Sequence, residues 1–272
     1  MNPERLNIPE GRDGRLWLDE GSFPMPRPHL HREVELNLVL AGRARYLLPR
    51  GRYDLSPRCL VWLFPEQQHL LIDQSPDFKA WIVIFRPGLV ARASRGPYAP
   101  LGRGDPGLDW LRRLEPASAA ALAQLLADLD RSASVSAPTF NAGMHYLLLG
   151  AYDRFLRATT LEAIADIHPA VSKATGLLQH GAADCSEEAL AAQAGISRSH
   201  LSRLFRQQTG VSLVEFRNRL RVERFMQRYG GGQRVTMLTA ALEAGFGSYA
   251  QFHRVFKRIA GISPADYRQQ KS

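Results

Sequence analysis

Two sets of residues in this 272-residue chain have types and spacing suited to chemistry. The first is His29, His31 and Glu35, with His69 downstream. Three imidazoles and a carboxylate are donors that a divalent transition metal accepts. On an extended strand, positions 29, 31 and 35 share a parity and face one side. Trp17, Tyr46, Trp62 and Trp81 are aromatic candidates for the walls of a small-molecule pocket. His31, Glu35, Tyr46, Trp62, His69 and Trp81 therefore form the candidate effector-binding set, and His29, His31, Glu35 and His69 the candidate metal set. The second set is cationic and lies near the carboxyl end. It comprises Arg198, Ser199, Ser202, Arg203 and Arg206, then Tyr249, Ala250, His253, Arg254 and Lys257. An arginine presented by a helix can hydrogen-bond guanine or a phosphate. No residue is assigned a catalytic role.

The elements that must hold the first set are short. Apolar runs at Val34–Leu40, Ala44–Leu48, Leu60–Phe64 and Lys79–Phe85 are separated by Ala41-Gly42, Pro49-Arg50-Gly51, Ser56-Pro57 and Pro65 to Gln68. Runs at roughly ten-residue spacing predict an antiparallel sandwich or barrel. Within the first run the even positions Val34, Leu36, Leu38 and Leu40 are the apolar stripe. Either the odd face lines a polar cavity while helices cover the even face, or the odd face meets solvent. Residues 1–22 show no periodicity, and 91–107, rich in Gly, Pro and Arg, read as a loop. Leu122, Leu125, Leu126 and Leu129 fall at helical spacing, as do Tyr146, Leu147, Leu149, Tyr152, Phe155 and Leu156. This pair of helices, broken between Ala133 and Pro138, either covers the sheet or forms a dimer face.

The second set lies on an internal repeat. Leu190-Ala191-Ala192-Gln193-Ala194-Gly195-Ile196 parallels Ala240-Ala241-Leu242-Glu243-Ala244-Gly245-Phe246. After Gly195 come Leu201, Arg203, Phe205, Gly210 and Ser212; after Gly245 come Phe252, Arg254, Phe256, Gly261 and Ser263, with one extra residue. Each copy reads as helix-turn-helix. Ser186 caps a helix, small alanines admit a neighbour, and Gly195 allows the chain to leave the helix. Leu201, Leu204 and Phe205 turn inward at i, i+3, i+4, as do Phe252, Val255 and Phe256. The cationic set is left on the outward face of each second helix, the one such motifs insert into the DNA major groove. His200 fits a packing role as well as a contact.

Charge agrees with that placement. Residues 170–272 hold 15 Lys and Arg against 7 Asp and Glu, nearly all of the net +9. Such a field favours phosphate backbones or anionic membranes. The longest apolar run, Cys59 to Phe64, is far short of a membrane span. The amino terminus carries Glu4, Arg5, Glu10, Arg12 and Asp13 where a signal peptide needs an apolar core. Cys59 and Cys185 have no zinc or redox spacing. A cytoplasmic protein is expected.

The segment Leu190 to Arg268 resembles the DNA-binding region of the AraC/XylS family of transcription regulators. The match runs through Gly195-Ile-Ser-Arg-Ser-His-Leu-Ser-Arg-Leu-Phe, then Gly245-Phe246, Phe252, Arg254, Phe256-Lys257, Gly261, Ser263-Pro264 and Tyr267-Arg268. The resemblance implies two helix-turn-helix units joined by a linker helix, here about Leu213 to Tyr229, with Arg221 at the family's linker arginine. It points to Ser199, Ser202 and Arg203, and to Tyr249, Ala250, His253 and Arg254, as groove-facing; Lys257 and Arg258, by charge alone, fit neutralisation of phosphates. Arg228-Tyr229 departs from the family's two leucines, and Gly230-Gly231-Gly232 is expected to loosen the second unit. His29-Leu-His31-x-x-x-Glu35, followed by Gly42, is similar to the first cupin motif, and Phe64-Pro65-Glu66-Gln67-Gln68-His69 loosely resembles the second.

The expected fold class is α+β: a cupin-like β-barrel over 1–107, a helical pair over 108–168 for dimerisation and linkage, and an all-α double helix-turn-helix domain over 169–272. The expected function is sequence-specific DNA binding in transcription regulation, controlled by a small effector in the amino-terminal domain. No cofactor is required, a divalent metal being the exception allowed by the His/Glu set. Expected partners are double-stranded DNA, RNA polymerase, the effector and a second copy of the chain, with no membrane. The competing class is an enzyme, a metal-loaded barrel with oxygenase or isomerase chemistry; a third is a regulator needing no effector.

Overall fold

The computed structural model describes residues 8–20, 33–48, 51–65, 69–103, 110–132, 136–163, 167–179, 185–230 and 235–271. The chain divides near residue 165 into two compact units.

The first unit holds β1 (Gly14–Asp19), β2 (Val34–Ala41), β3 (Ala44–Leu48), β4 (Gly51–Leu55), β5 (Cys59–Leu63), β6 (Leu70–Gln74), β7 (Lys79–Phe85), β8 (Trp110–Arg113) and β9 (Thr159–Thr160). Six strands run in the order β1-β7-β2-β5-β8-β9 and three in the order β4-β3-β6. The barrel is thus not closed into one ring of strands. The four apolar runs became β2, β3, β5 and β7. The sequence pattern missed β1, β4, β6, β8 and β9. In β1 only Gly14 and Leu16 are buried, while Arg15 and Leu18 are exposed, so little alternation is visible. Within 91–107, where a loop is expected, lie the end of α1 (Pro87–Ala93) and a 3-10 turn over Gly96–Gly102. Pro87 suits a first helical turn, where its missing N–H is not needed. Leu89, Val90, Ala93 and Leu101 of these segments join the core.

Register fixes which side chains share a face, because directly paired residues project to the same side. Leu36 pairs with both Trp62 and Val83, and Leu38 pairs with Trp81. This face is roofed by α2 (Pro116–Ser132) and α3 (Ala137–Arg157), whose Leu122, Leu126, Met144, Leu147 and Tyr152 pack into one core with Leu36, Leu38, Trp62 and Phe85. The Trp62 ring stacks at 6.1 Å on Phe85, and Trp110 at 5.3 Å on Phe155. Each such buried side chain contributes about 1.5–3 kcal/mol. The inner faces of the helical pair therefore cover the sheet. The outer face of α3 keeps Tyr146 and Leu156 exposed.

The opposite face carries Glu35, Asn37 and Val39 of β2, flanked by Leu63 and Ile84, Val61 and Ile82, and Ala80. It is buried too, and Asn37 crosses from it to Tyr46 of the three-stranded sheet. Helices cover the even face, and the odd face is buried against the three-stranded sheet rather than exposed to solvent. The chain changes sheet between β2 and β3 at Gly42, whose φ is +69°. A Cβ there would lie 2.6 Å from the backbone of Phe78.

The second unit is helical: α4 (Pro169–Gln179), α5 (Glu187–Ala194), α6 (Arg198–Thr209), α7 (Leu213–Gly230), α8 (Met237–Glu243), α9 (Tyr249–Ala260) and α10 (Pro264–Lys271). Six of these helices begin on a hydroxyl that accepts from a backbone N–H three residues on: Ser186, Ser197, Ser212, Thr236, Ser248 and Ser263. A cap of this kind contributes about 1 kcal/mol. Helix α4 was not legible as a separate element; it buries Val171, Ala174 and Leu178.

Gly42→Ala is expected to destabilise the chain by about 2 kcal/mol or more in thermal denaturation, since a left-handed backbone and a backbone collision add. Gly195→Ala, also left-handed but with nothing within 4 Å of the new methyl, should cost only about 1 kcal/mol. Equal costs would show that Gly42 is not a contact-limited sheet crossing.

Candidate nucleic-acid interface

Both copies of the repeat close by one device. In the first, Gly195 takes φ +77° and the Ile196 N–H donates to the Ala191 carbonyl at 3.1 Å. In the second, Gly245 takes φ +93° and the Phe246 N–H donates to Ala241 at 3.1 Å. The 6→1 bond satisfies a carbonyl that the helix end would leave orphaned. The extra residue of the second copy is Gly247, whose N–H donates to the Gln251 side chain at 2.9 Å.

The second helices, α6 and α9, bury the residues the spacing assigned inward. Leu201 and Phe205 are buried, Leu204 partly so, and Phe252, Val255 and Phe256 are buried. The outward set is where the sequence placed it: Arg198, Ser199, Arg203 and Arg206 on α6, and Tyr249, Ala250, His253, Arg254 and Lys257 on α9, are exposed, and Ser202 is half-buried. His200 is exposed rather than packed. The Tyr249 ring leans on Phe252 at 5.6 Å, so an exposed aromatic is held rigidly at the start of α9.

The arginines differ in what they touch. Among the described residues, the side chains of Arg203, Arg206 and Arg254 meet no carboxylate and make no hydrogen bond. Arg198 is clasped by the first turn of α5, its Nε 2.9 Å from Glu187 and its Nη1 2.8 Å from Glu188. The Glu188 carboxyl is held below its usual range, first by its own backbone N–H at the helix start and then by Arg198. Arg198 therefore ties α6 to the first turn of α5 and is less available to an outside anion than the other three. The acidic pair was legible as a complement to the helix dipole; its second role needs the fold.

Helix α7 joins the two copies. Phe216 meets Phe205 of the first at 5.5 Å. Phe225 meets Phe252 at 4.3 Å, and Tyr229, Phe256 and Tyr267 surround it. Arg228 pairs with Glu243 at 2.5 Å, which holds that carboxyl low. Glu215, in the first turn of α7, accepts from Arg219 at 3.4 Å and from Arg258, at the end of α9, at 2.5 Å. Arg258 is thus tied to α7. These contacts hold the second copy on the linker helix. They counter the looseness expected from Gly230-Gly231-Gly232, of which residues 231–232 lie outside the described residues. The Glu215–Arg258 pair spans 43 positions, so no local pattern announces it.

In the first unit the site assignments separate. Trp62 and Trp81 lie on the helix-roofed face with Leu36 and Leu38, away from Glu35, so the candidate effector set is not one pocket wall. Glu35 and Tyr46 are brought together through Asn37, a residue the sequence reading passed over although it sits two positions from Glu35 on the same face. His69 is buried beside β6. His29 and His31 lie outside the described residues. Among the described residues no group of three or more His, Cys, Asp or Glu is placed to hold a metal, and Cys59 and Cys185 are unpaired thiols. No described helix is long and apolar enough to cross a membrane.

Comparison with known proteins agrees with this two-part layout. Residues 21–149 match the family model described as AraC-like ligand binding domain, and residues 190–270 match that described as helix-turn-helix domain. The chain belongs to the AraC family. The arabinose operon regulatory protein of Escherichia coli strain K12 is 36% identical over 73 residues, 27% of this chain and 25% of that protein. An uncharacterized HTH-type transcriptional regulator of Haemophilus influenzae is 34% identical over 96 residues, 35% of this chain and 32% of that one. The chain thus spans about a third or less of the curated relatives it matches. The crystal structure of ToxT from Vibrio cholerae O395 aligns over 96% of this chain and 98% of its own, at 15% identity and a TM-score of 0.44.

Arg203→Ala is expected to weaken binding to the cognate site by about 1–3 kcal/mol in a fluorescence-anisotropy titration. Arg198→Ala should instead lower the melting temperature while changing affinity less; the reverse order would refute the clasp. Glu215→Ala should relax the penalty for inserting one base pair between the two recognition boxes. An unchanged penalty would remove the Glu215–Arg258 pair from the spacing of the two copies.

Proposed function

We propose that this AraC-family chain is a sequence-specific DNA-binding transcription regulator whose amino-terminal unit receives a small effector. The observation that carries the reading is the contrast among arginines. On both recognition helices the outward cations Arg203, Arg206 and Arg254 are exposed and left without carboxylate partners among the described residues, whereas Arg198, Arg219, Arg228 and Arg258 are neutralised by Glu187 and Glu188, Glu215 and Glu243. An unneutralised cation on a groove-sized helix releases counterions from a phosphate backbone. Paired readers on one duplex require recognition helices about one helical turn, on the order of 34 Å, apart. Ser199, Ser202, Tyr249, Ala250 and His253 then face base edges, and Arg206 and Lys257 the phosphates.

The protein acts by binding rather than catalysis, at the chromosome in the cytoplasm, with RNA polymerase the partner whose recruitment or exclusion it alters. A second copy pairs through the outer face of α3. There Ala142, Tyr146 and Leu156 lie exposed, Tyr146 and Leu156 to 61% and 49%. An effector changes transcription only by binding one arrangement of the protein better than another.

Genome-wide footprinting with the purified chain tests the reading. It should return sites with two boxes about ten base pairs apart. On such a site Arg206→Ala should reduce the slope of log affinity against log salt by about one. Sedimentation should show a dimer that Tyr146→Arg dissociates. Affinity equal for selected and scrambled DNA would sink the sequence-specific claim.

A further inference from the structure

The caps put the two recognition helices in register. Ser197 opens α6 and Ser248 opens α9, each accepting from the backbone N–H three residues on. Counted from the caps, Arg203 matches Arg254 at the sixth position, and Arg206 matches Lys257 at the ninth. Ser199, Ser202, Arg203 and Arg206 form one i, i+3, i+4, i+7 stripe on α6, and Ala250, His253, Arg254 and Lys257 form the same stripe on α9. The cationic end of the stripe is common to both helices.

The end nearest the cap differs in kind. At the first position α6 carries Arg198, held by Glu187 and Glu188. At the second it carries Ser199, whose hydroxyl lies 3.3 Å from that of Ser197. At the same places α9 carries Tyr249 and Ala250, both exposed. Tyr249 is 41% exposed, and its ring rests on buried Phe252 at 5.6 Å and beside His253 at 6.4 Å. A braced ring and a methyl thus form an apolar step on a face that is otherwise polar and cationic. Such surface is stabilised only when it meets another apolar group. Base edges in the major groove present hydrogen-bond donors, acceptors and one carbon group, the C5 methyl of thymine. A serine at the matched place bonds to any base and discriminates less.

We propose, resting on the reading of α6 and α9 as groove readers, that the box read by α9 contains a thymine whose methyl sits against Ala250 and the Tyr249 ring, and that the box read by α6 needs none. Arg254, one turn further along the same stripe, addresses guanine or a phosphate. Because the arginines at the sixth position are the same, the Tyr249–Ala250 step is what makes the second box chemically different from the first. The other three bases offer no carbon group at that edge and leave the step wet or against a polar atom.

Uracil substitution tests this, since uracil lacks only the C5 methyl and keeps every hydrogen bond of thymine. The duplex is the site recovered by footprinting, and the α9 box is the one whose base changes Arg254→Ala no longer discriminates. In anisotropy titrations of the unaltered full chain, replacing the thymines of that box one at a time should weaken binding about three-fold or more at one position. The same replacement in the α6 box should leave affinity unchanged. Tyr249→Ser combined with Ala250→Ser should make the thymine and uracil duplexes equal. A box without thymine, or one in which uracil is tolerated throughout, overturns the proposal while leaving sequence-specific binding in place. A uracil effect that survives the double substitution, or is as large in the α6 box, overturns the assignment to Tyr249 and Ala250. Equal affinity for the recovered site and scrambled DNA overturns the groove-reader reading itself, and this inference with it.

Discussion

The carboxyl-terminal unit depends on two phenylalanines of one helix. Phe216 closes the core of the first helix-turn-helix against Phe205, and Phe225 is ringed by the aromatic side chains of the second. At about 1.5 Å per residue the rigid rise between them is on the order of 13 Å. Neither helix-turn-helix could bury its apolar stripe by itself, because each contributes only short helices. Sharing α7 gives both a third wall. Everything that faces outward, including the unpaired arginines, inherits its position from those two buried rings.

Legibility followed the range of the signals. The helix-turn-helix copies were readable because caps, glycines and the i, i+3, i+4 stripe all act within a dozen residues. Ser186, Gly195 and Phe205 each state a local requirement, and the folded chain meets it. The apolar runs gave four strands for the same reason. What failed was whatever depends on distant neighbours. Edge strand β1 has few buried residues, and α1 hides in a segment of Gly, Pro and Arg whose buried residues are only Leu89, Val90, Ala93 and Leu101. The ion pairs of Arg198 were not legible, because its acidic partners Glu187 and Glu188 lie on the preceding helix.

The amino-terminal unit shows how one period-two pattern serves two purposes. The even side of β2 meets helices and is wholly apolar, while the odd side meets a second sheet and carries Glu35 and Asn37. A parity count alone correctly separated the two sides. It could not say that Trp62 and Trp81 belong with the even side, since that depends on which strands lie next to β2. Pairing of β5 and β7 on either side of β2 settled it, and with it the split between packing tryptophans and the buried polar bridge.

The two recognition helices are not interchangeable. Gly247 lengthens the second turn by one residue, and the outward faces differ in kind: serines and arginines on α6, an aromatic, a histidine, an arginine and a lysine on α9. A single polypeptide therefore carries a head and a tail along the duplex. On the proposed reading of α6 and α9 as groove readers, turning the target sequence end for end would present each with the wrong bases, and the molecule would distinguish upstream from downstream before any second copy joined it.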